Sequence, residues 1–117
     1  MRSDPLQIEI TPGGNSGEVI LQLTGPLTLS NLFDFQRSWR EQSASFIMID
    51  LTRVPYIDSA GIGCLVGAHV SREHSGRKLI LAGAGERLHN ALQVTRVDQL
   101  FTFAPDVEQA RAQAGTS

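Results

Sequence analysis

Val54-Pro55-Tyr56-Ile57-Asp58-Ser59-Ala60-Gly61-Ile62-Gly63 is the segment from which the rest of the chain can be read. It sets an acid and a hydroxyl at the point where a loop turns into a helix. There the first backbone N–H groups lack intrahelical partners and the helix dipole is positive, so the place accepts a carboxylate, a hydroxyl lone pair or a phosphate. The plainest reading is an N-cap, worth about 1 kcal/mol, supplied by Asp58 or Ser59. The helix is expected to run to about His74, with Ser59 capping it and Ile62, Leu65, Val66 and Val70 as its apolar stripe. The Asp58–Ser59 loop is expected to be open to solvent.

Upstream, Phe46-Ile47-Met48-Ile49-Asp50-Leu51 is a nearly continuous apolar run, the pattern of a strand covered on both faces. Before it, Leu6–Ile10 alternates apolar and polar residues, and Pro12–Gly17 is a dense turn signal. Glu18–Thr24 reads as a second strand, so the first two are expected to form a hairpin. Ser30 is the expected cap of a helix to about Glu41, with Leu32, Phe35, Gln36 and Trp39 along one side. Downstream, Gly76 stops the central helix and Leu79–Ala82 is a short buried strand. Glu86 to about Thr95 is a helix with Leu88, Ala91 and Leu92 inward. Leu100–Phe103 reads as a last strand, and Pro105 opens a final helix to about Ala114. This order predicts an α/β layer fold, a mixed sheet of four to five strands with about four helices. The expected domain is 6–113, with 1–5 and 114–117 as disordered ends.

Composition narrows the function. The 117 residues suffice for one core, and 41% hydrophobic with 19% charged residues is ordinary globular usage. Ten Lys+Arg stand against twelve Asp+Glu, and the cations are scattered from Arg2 to Arg111 without a basic run. Nucleic acid is therefore not an expected partner, because phosphate affinity needs clustered cations. No apolar stretch approaches the roughly 18 residues of a membrane span, and Met1–Pro5 has no apolar core for a secretion signal. Cys64 is the single cysteine, which excludes an intrachain disulfide and fits a reducing, cytoplasmic setting.

The hexapeptide Asp58-Ser59-Ala60-Gly61-Ile62-Gly63, following the strand Ile47–Leu51 by a short Pro-containing loop, resembles the signature of the STAS family. It is more closely similar to that of the bacterial anti-sigma factor antagonists, Asp-Ser-(Ser/Thr/Ala)-Gly-(Leu/Ile)-Gly. The resemblance continues through Gly76–Gly83 and Leu92–Phe101 and covers roughly residues 18 to 103. It implies a STAS-like fold and a binding module with no catalytic residues and no cofactor. It also implies that Ser59 is the phosphoacceptor of an anti-sigma factor that is itself a serine kinase, with Asp58, Ser59, Ala60, Gly61, Ile62 and Gly63 as the partner-binding loop and helix. The unphosphorylated form would hold that kinase and free a sigma factor; phosphorylation would break the complex and a serine phosphatase would restore it. Two positions depart from the pattern. Thr28 stands where the family usually has Asp after Gly-x-Leu, a possible accessory polar position, and Arg96 stands where it commonly has Gly. The Thr28 departure leaves open a non-switching STAS scaffold, or an accessory subunit of a signalling or transporter assembly. A small nucleotide-binding domain is a weaker third reading.

Other chemistries fit less well. A serine hydrolase would need the elbow Gly-x-Ser-x-Gly, and Ile57 occupies the first Gly. His69 and His74 lie about 15 Å or more down the helix that Ser59 begins, which leaves only His89 geometrically open. Gly83-Ala84-Gly85 follows a strand and precedes a helix, but Leu88 stands at the third glycine of a dinucleotide loop. Three histidines without ligand spacing give no metal site. Cys64, one turn inside an apolar helix, reads as a buried small side chain, and Trp39 with Phe33 and Phe35 as core and its margin.

Overall fold

The structure, a computed structural model, describes residues 5–14 and 17–115. Five strands form one sheet in the order β1 (Gln7–Pro12), β2 (Glu18–Thr24), β3 (Phe46–Arg53), β4 (Lys78–Ala82) and β5 (Thr102–Ala104). β1 and β2 pair antiparallel as the expected hairpin, and every later neighbour is parallel. The helices are α1 (Leu32–Arg40), α2 (Ser59–His74), α3 (Glu86–Val94) and α4 (Val107–Gly115), with one 3₁₀ turn at Asp98–Leu100.

The alternation along β3 separates two cores. Ile47, Ile49 and Leu51 face α1, α2 and α3, meeting Phe35, Trp39, Leu65, Ala68, Leu88 and Leu92. Phe46 and Met48 face the other way, with Ile80, Ala82 and Ala104, under α4 at Ala110. That two-sided cover is why β3 reads as a nearly continuous apolar run, interrupted at Asp50, whose buried carboxylate accepts from the Thr52 N–H and hydroxyl. Parallel β2, β3 and β4 bring their C-terminal ends to one edge. The loops that open α1 and α2 therefore lie side by side there.

Several local expectations shift. α1 begins after Asn31 and not after Ser30, with no side-chain cap at its start, and it ends at Arg40. The Ser30 hydroxyl instead lies 3.0 Å from that of Thr28, while the Asn31 amide is drawn into the preceding loop. The last strand begins at Thr102, because Asp98–Leu100 is taken up by the 3₁₀ turn. On α2, Val70 is exposed, and the buried residue on the last turn is Arg72, 3% exposed. Its guanidinium donates from Nη1 to the Gln42 carbonyl at 3.2 Å and from Nη2 to the Ala44 carbonyl, closing the chain between α1 and β3. Hydropathy favours Val70, but the carbonyls of Gln42 and Ala44 in the loop after α1 need donors, and Arg72 supplies them from a buried position. The expected termini fall mostly outside the described residues, and the backbone of α4 reaches Gly115.

Candidate functional site

Two loops build the site at the C-terminal edge of the sheet. The chain from Gly25 to Asn31 leaves β2, and the chain from Val54 to Asp58 leaves β3. Backbone bonds join them: Leu27 N–H to the Tyr56 carbonyl at 3.3 Å, and Asp58 N–H to the Leu27 carbonyl at 3.3 Å. Leu27 is fully buried beneath the junction. Asn31, also buried, braces the first loop from inside. Its Oδ1 accepts from Thr28 N–H at 2.9 Å, and its Nδ2 donates to the Pro26 carbonyl at 2.7 Å.

Asp58 is the N-cap of α2. Its Oδ1 accepts the Gly61 N–H at 2.8 Å, satisfying one of the orphan donors of the first turn, and its Oδ2 accepts the Leu29 N–H at 3.1 Å. One carboxylate thus caps the helix and ties both loops together. Ser59 is the first helical residue, exposed, and it is not the cap. The correction has a simple cause: the carboxylate of Asp58 accepts two N–H bonds at once, and a charged acceptor outcompetes a hydroxyl at a helix N-terminus. The loop itself is accessible, as expected. The Ser59 hydroxyl is left free of capping duty on a helix end whose dipole favours added negative charge.

The motif residues divide between two tasks. Ser59 and Gly63 face solvent, and Asp58 and Ala60 are half-buried. Gly61 and Ile62 are buried, so neither presents a side chain to a partner. A Cβ on Gly61 would overlap the Leu27 carbonyl oxygen, which makes this glycine the condition for the two loops to touch. Thr28 is half-buried on the loop held by Asp58, with its hydroxyl turned to Ser30.

Three residues join the site that the sequence alone did not assign to it. Leu29 and Phe33 are 66% and 68% exposed on the loop and first turn beside Asp58. Tyr56 is partly exposed at the foot of the loop, with the Arg87 guanidinium 5.8 Å from its ring centre. A signal for Phe33 exists: it lies off the Leu32–Phe35–Trp39 side of α1. The remaining candidates lie elsewhere. His69 pairs with Glu73 at 3.1 Å and packs edge-on to Phe101, and His89 packs on Phe103. Cys64 is buried against the Leu32 carbonyl, and burial pushes its thiol up to about 11. Among the described residues no three His, Cys, Asp or Glu side chains converge as metal ligands, and no helix is long and apolar enough to cross a membrane.

The profile of the STAS domain family matches residues 7–110. An anti-sigma-B factor antagonist of Listeria monocytogenes is 37% identical over 55 residues, 47% of this chain and 48% of the relative. The chain thus spans about half the length of the curated relatives it matches. Among solved structures, an anti-sigma factor antagonist described as putative from Thermotoga maritima superposes with a TM-score of 0.82 at 21% identity, over 91% of this chain and 92% of that one. The Bacillus cell fate determinant SpoIIAA in its phosphorylated form gives 0.68 at 19% identity, over 94% and 99%. At such identities these structures share the fold. With the family profile covering nearly the whole length, the chain belongs to the STAS domain family.

Proposed function

We propose that this chain is an anti-sigma factor antagonist switched by phosphorylation of Ser59. In its unphosphorylated form it holds an anti-sigma factor that is also a serine kinase, so a sigma factor is released and transcription proceeds in the cytoplasm. The kinase ends the complex by phosphorylating Ser59, and a serine phosphatase restores it. The chain itself carries out no reaction. The observation that carries this reading is the placing of Ser59: exposed, first in α2, and relieved of capping by Asp58. The antagonist names of the relatives and the phosphorylated state of SpoIIAA support it.

The physics suits a switch. Phosphorylation adds about -1.5 to -2 charge at this spot. Within the protein the N-terminus of α2 tolerates that charge. In a contact centred on the loop it introduces a strongly hydrated anion, and an unpaired or like-charge clash there costs several kcal/mol. That is enough to move a partner between bound and free. Incubation with the cognate kinase and ATP, followed by intact mass, tests the reading. Wild type should gain one phosphate and Ser59→Ala none. An unmodified wild type, or a phosphate retained in Ser59→Ala, contradicts it.

A further inference from the structure

α2 carries two glycines on its open side, Gly63 and Gly67, four and eight residues beyond Ser59. A Cβ built at either meets no atom within 4 Å, and neither has a positive φ. Nothing in the fold excludes alanine there, although glycine is among the worst residues for a helix interior. Gly61 is explained by its contact with Leu27; these two are not explained from inside the molecule.

The wall beside them is a second, separate observation. α1 runs alongside, with the Cys64 thiol 3.8 Å from the Leu32 carbonyl. At the end of α1 nearest Ser59, Leu29 and Phe33 project into solvent on a backbone that Asp58 and Asn31 hold in place. Large apolar side chains displayed from a braced backbone cost a partner little ordering entropy to bury. Further along α1, Arg37 and Arg40 have no ion-pair partner among the described residues, although Arg40 lies over the Trp39 ring.

We propose that the kinase docking at Ser59 extends its contact about 12 Å along the α1–α2 face. It lays an apolar segment over Gly63 and Gly67, against Leu29 and Phe33, with carboxylates toward Arg37 and Arg40. This rests on the reading of Ser59 as the switch. The occupant is that kinase because the face is continuous with the loop that presents Ser59. One helix carries Ser59, Gly63 and Gly67, and the Asp58 carboxylate joins Leu29 to its first turn. Bare glycine backbone lets the partner's backbone approach, and a methyl group would hold it away.

The test is calorimetric titration of the full chain against the purified, ADP-loaded kinase that phosphorylates Ser59. Gly67→Ala should melt about 2–4 °C higher, since it removes a helix-interior glycine, yet bind at least tenfold more weakly. Phe33→Ser should also bind at least tenfold more weakly with little change in melting. Val94→Ser, on the exposed side of α3, should bind as wild type. If Gly67→Ala and Phe33→Ser bind as wild type while Ser59→Asp is weakened, the extended face is wrong and the switch stands. If Ser59→Asp binds as wild type, the switch fails and the face falls with it.

Discussion

The Oδ2 of Asp58 accepts the backbone N–H of Leu29 at 3.1 Å, although the two residues lie 29 positions apart. Because the other oxygen caps α2 at Gly61, one side chain fixes both the helix start and the loop beside it. Asp58→Ala should lose both bonds and cost about 2–3 kcal/mol, more than an ordinary cap of about 1 kcal/mol. Asp58→Asn keeps one acceptor oxygen and should cost about 1 kcal/mol. Urea unfolding checks the ranking; an Ala variant as stable as wild type would mean the carboxylate holds nothing.

The glycines of α2 should separate sharply. Gly61→Ala drives a methyl group into the Leu27 carbonyl, a backbone atom held on both sides, and should cost about 3 kcal/mol or prevent folding. Gly63→Ala meets open space and should stabilise the fold by about 0.5–1 kcal/mol. Thermal melts of the two variants read the contrast directly, and equal effects would contradict the close approach at Gly61.

Arg96 occupies a left-handed backbone position, φ 61°, just beyond α3. Its N–H bonds the Gln93 carbonyl, and the Val97 N–H reaches back to Leu92 at 3.0 Å, the pattern of a helix end that favours glycine. Arg96→Gly should relieve the strain of a side chain there and stabilise by about 0.5–1 kcal/mol. A melting point below that of wild type would show that the Arg96 side chain contributes more than its backbone costs.

Cys64 yields a prediction in pH. Burial raises its pKa to about 11 from 9.0, so in the folded protein the thiol stays protonated where the unfolded chain ionises. Below pH 9 both states bind the proton and stability is unaffected. Between pH 9 and about 11 the unfolded state loses it first, and stability should fall by on the order of 2 kcal/mol. Cys64→Ala should lack that share of the alkaline decline in urea midpoint, and an identical decline would contradict it.

What the sequence discloses follows the strength of each local signal. β2 reads cleanly because its mostly apolar run Val19–Leu23 is bounded by the turn signal before Glu18 and by Gly25-Pro26, and α2 ends at His74 because Gly76 adopts φ +73°. Elements whose boundaries depend on tertiary partners are harder. Asn31 displaces Ser30 as the start of α1 because its amide has two backbone partners in the loop, and no periodicity encodes that. Arg72 is buried because the carbonyls of Gln42 and Ala44, some thirty residues away, need a donor. At the site, the motif marks Ser59, but the second bond that holds the Asp58 carboxylate comes from Leu29 on the loop after β2, which no local signal announces. The exposure of Leu29 and Phe33 is likewise a property of how the two loops meet.

The switch proposed at Ser59 alters partner binding without altering the fold. Ser59→Ala removes the acceptor hydroxyl and leaves the Asp58 cap in place, so it should fold, resist phosphorylation and bind the anti-sigma factor as unphosphorylated wild type does. Ser59→Asp adds a smaller permanent charge at a helix terminus that tolerates it, so it too should fold. Calorimetric titration of wild type and both variants against the cognate anti-sigma factor is the most direct measurement. A switch at Ser59 requires wild-type affinity for Ser59→Ala and at least tenfold weaker binding for Ser59→Asp, a loss of about 1.4 kcal/mol. Equal affinities for all three proteins, with intact folds by circular dichroism, would contradict it.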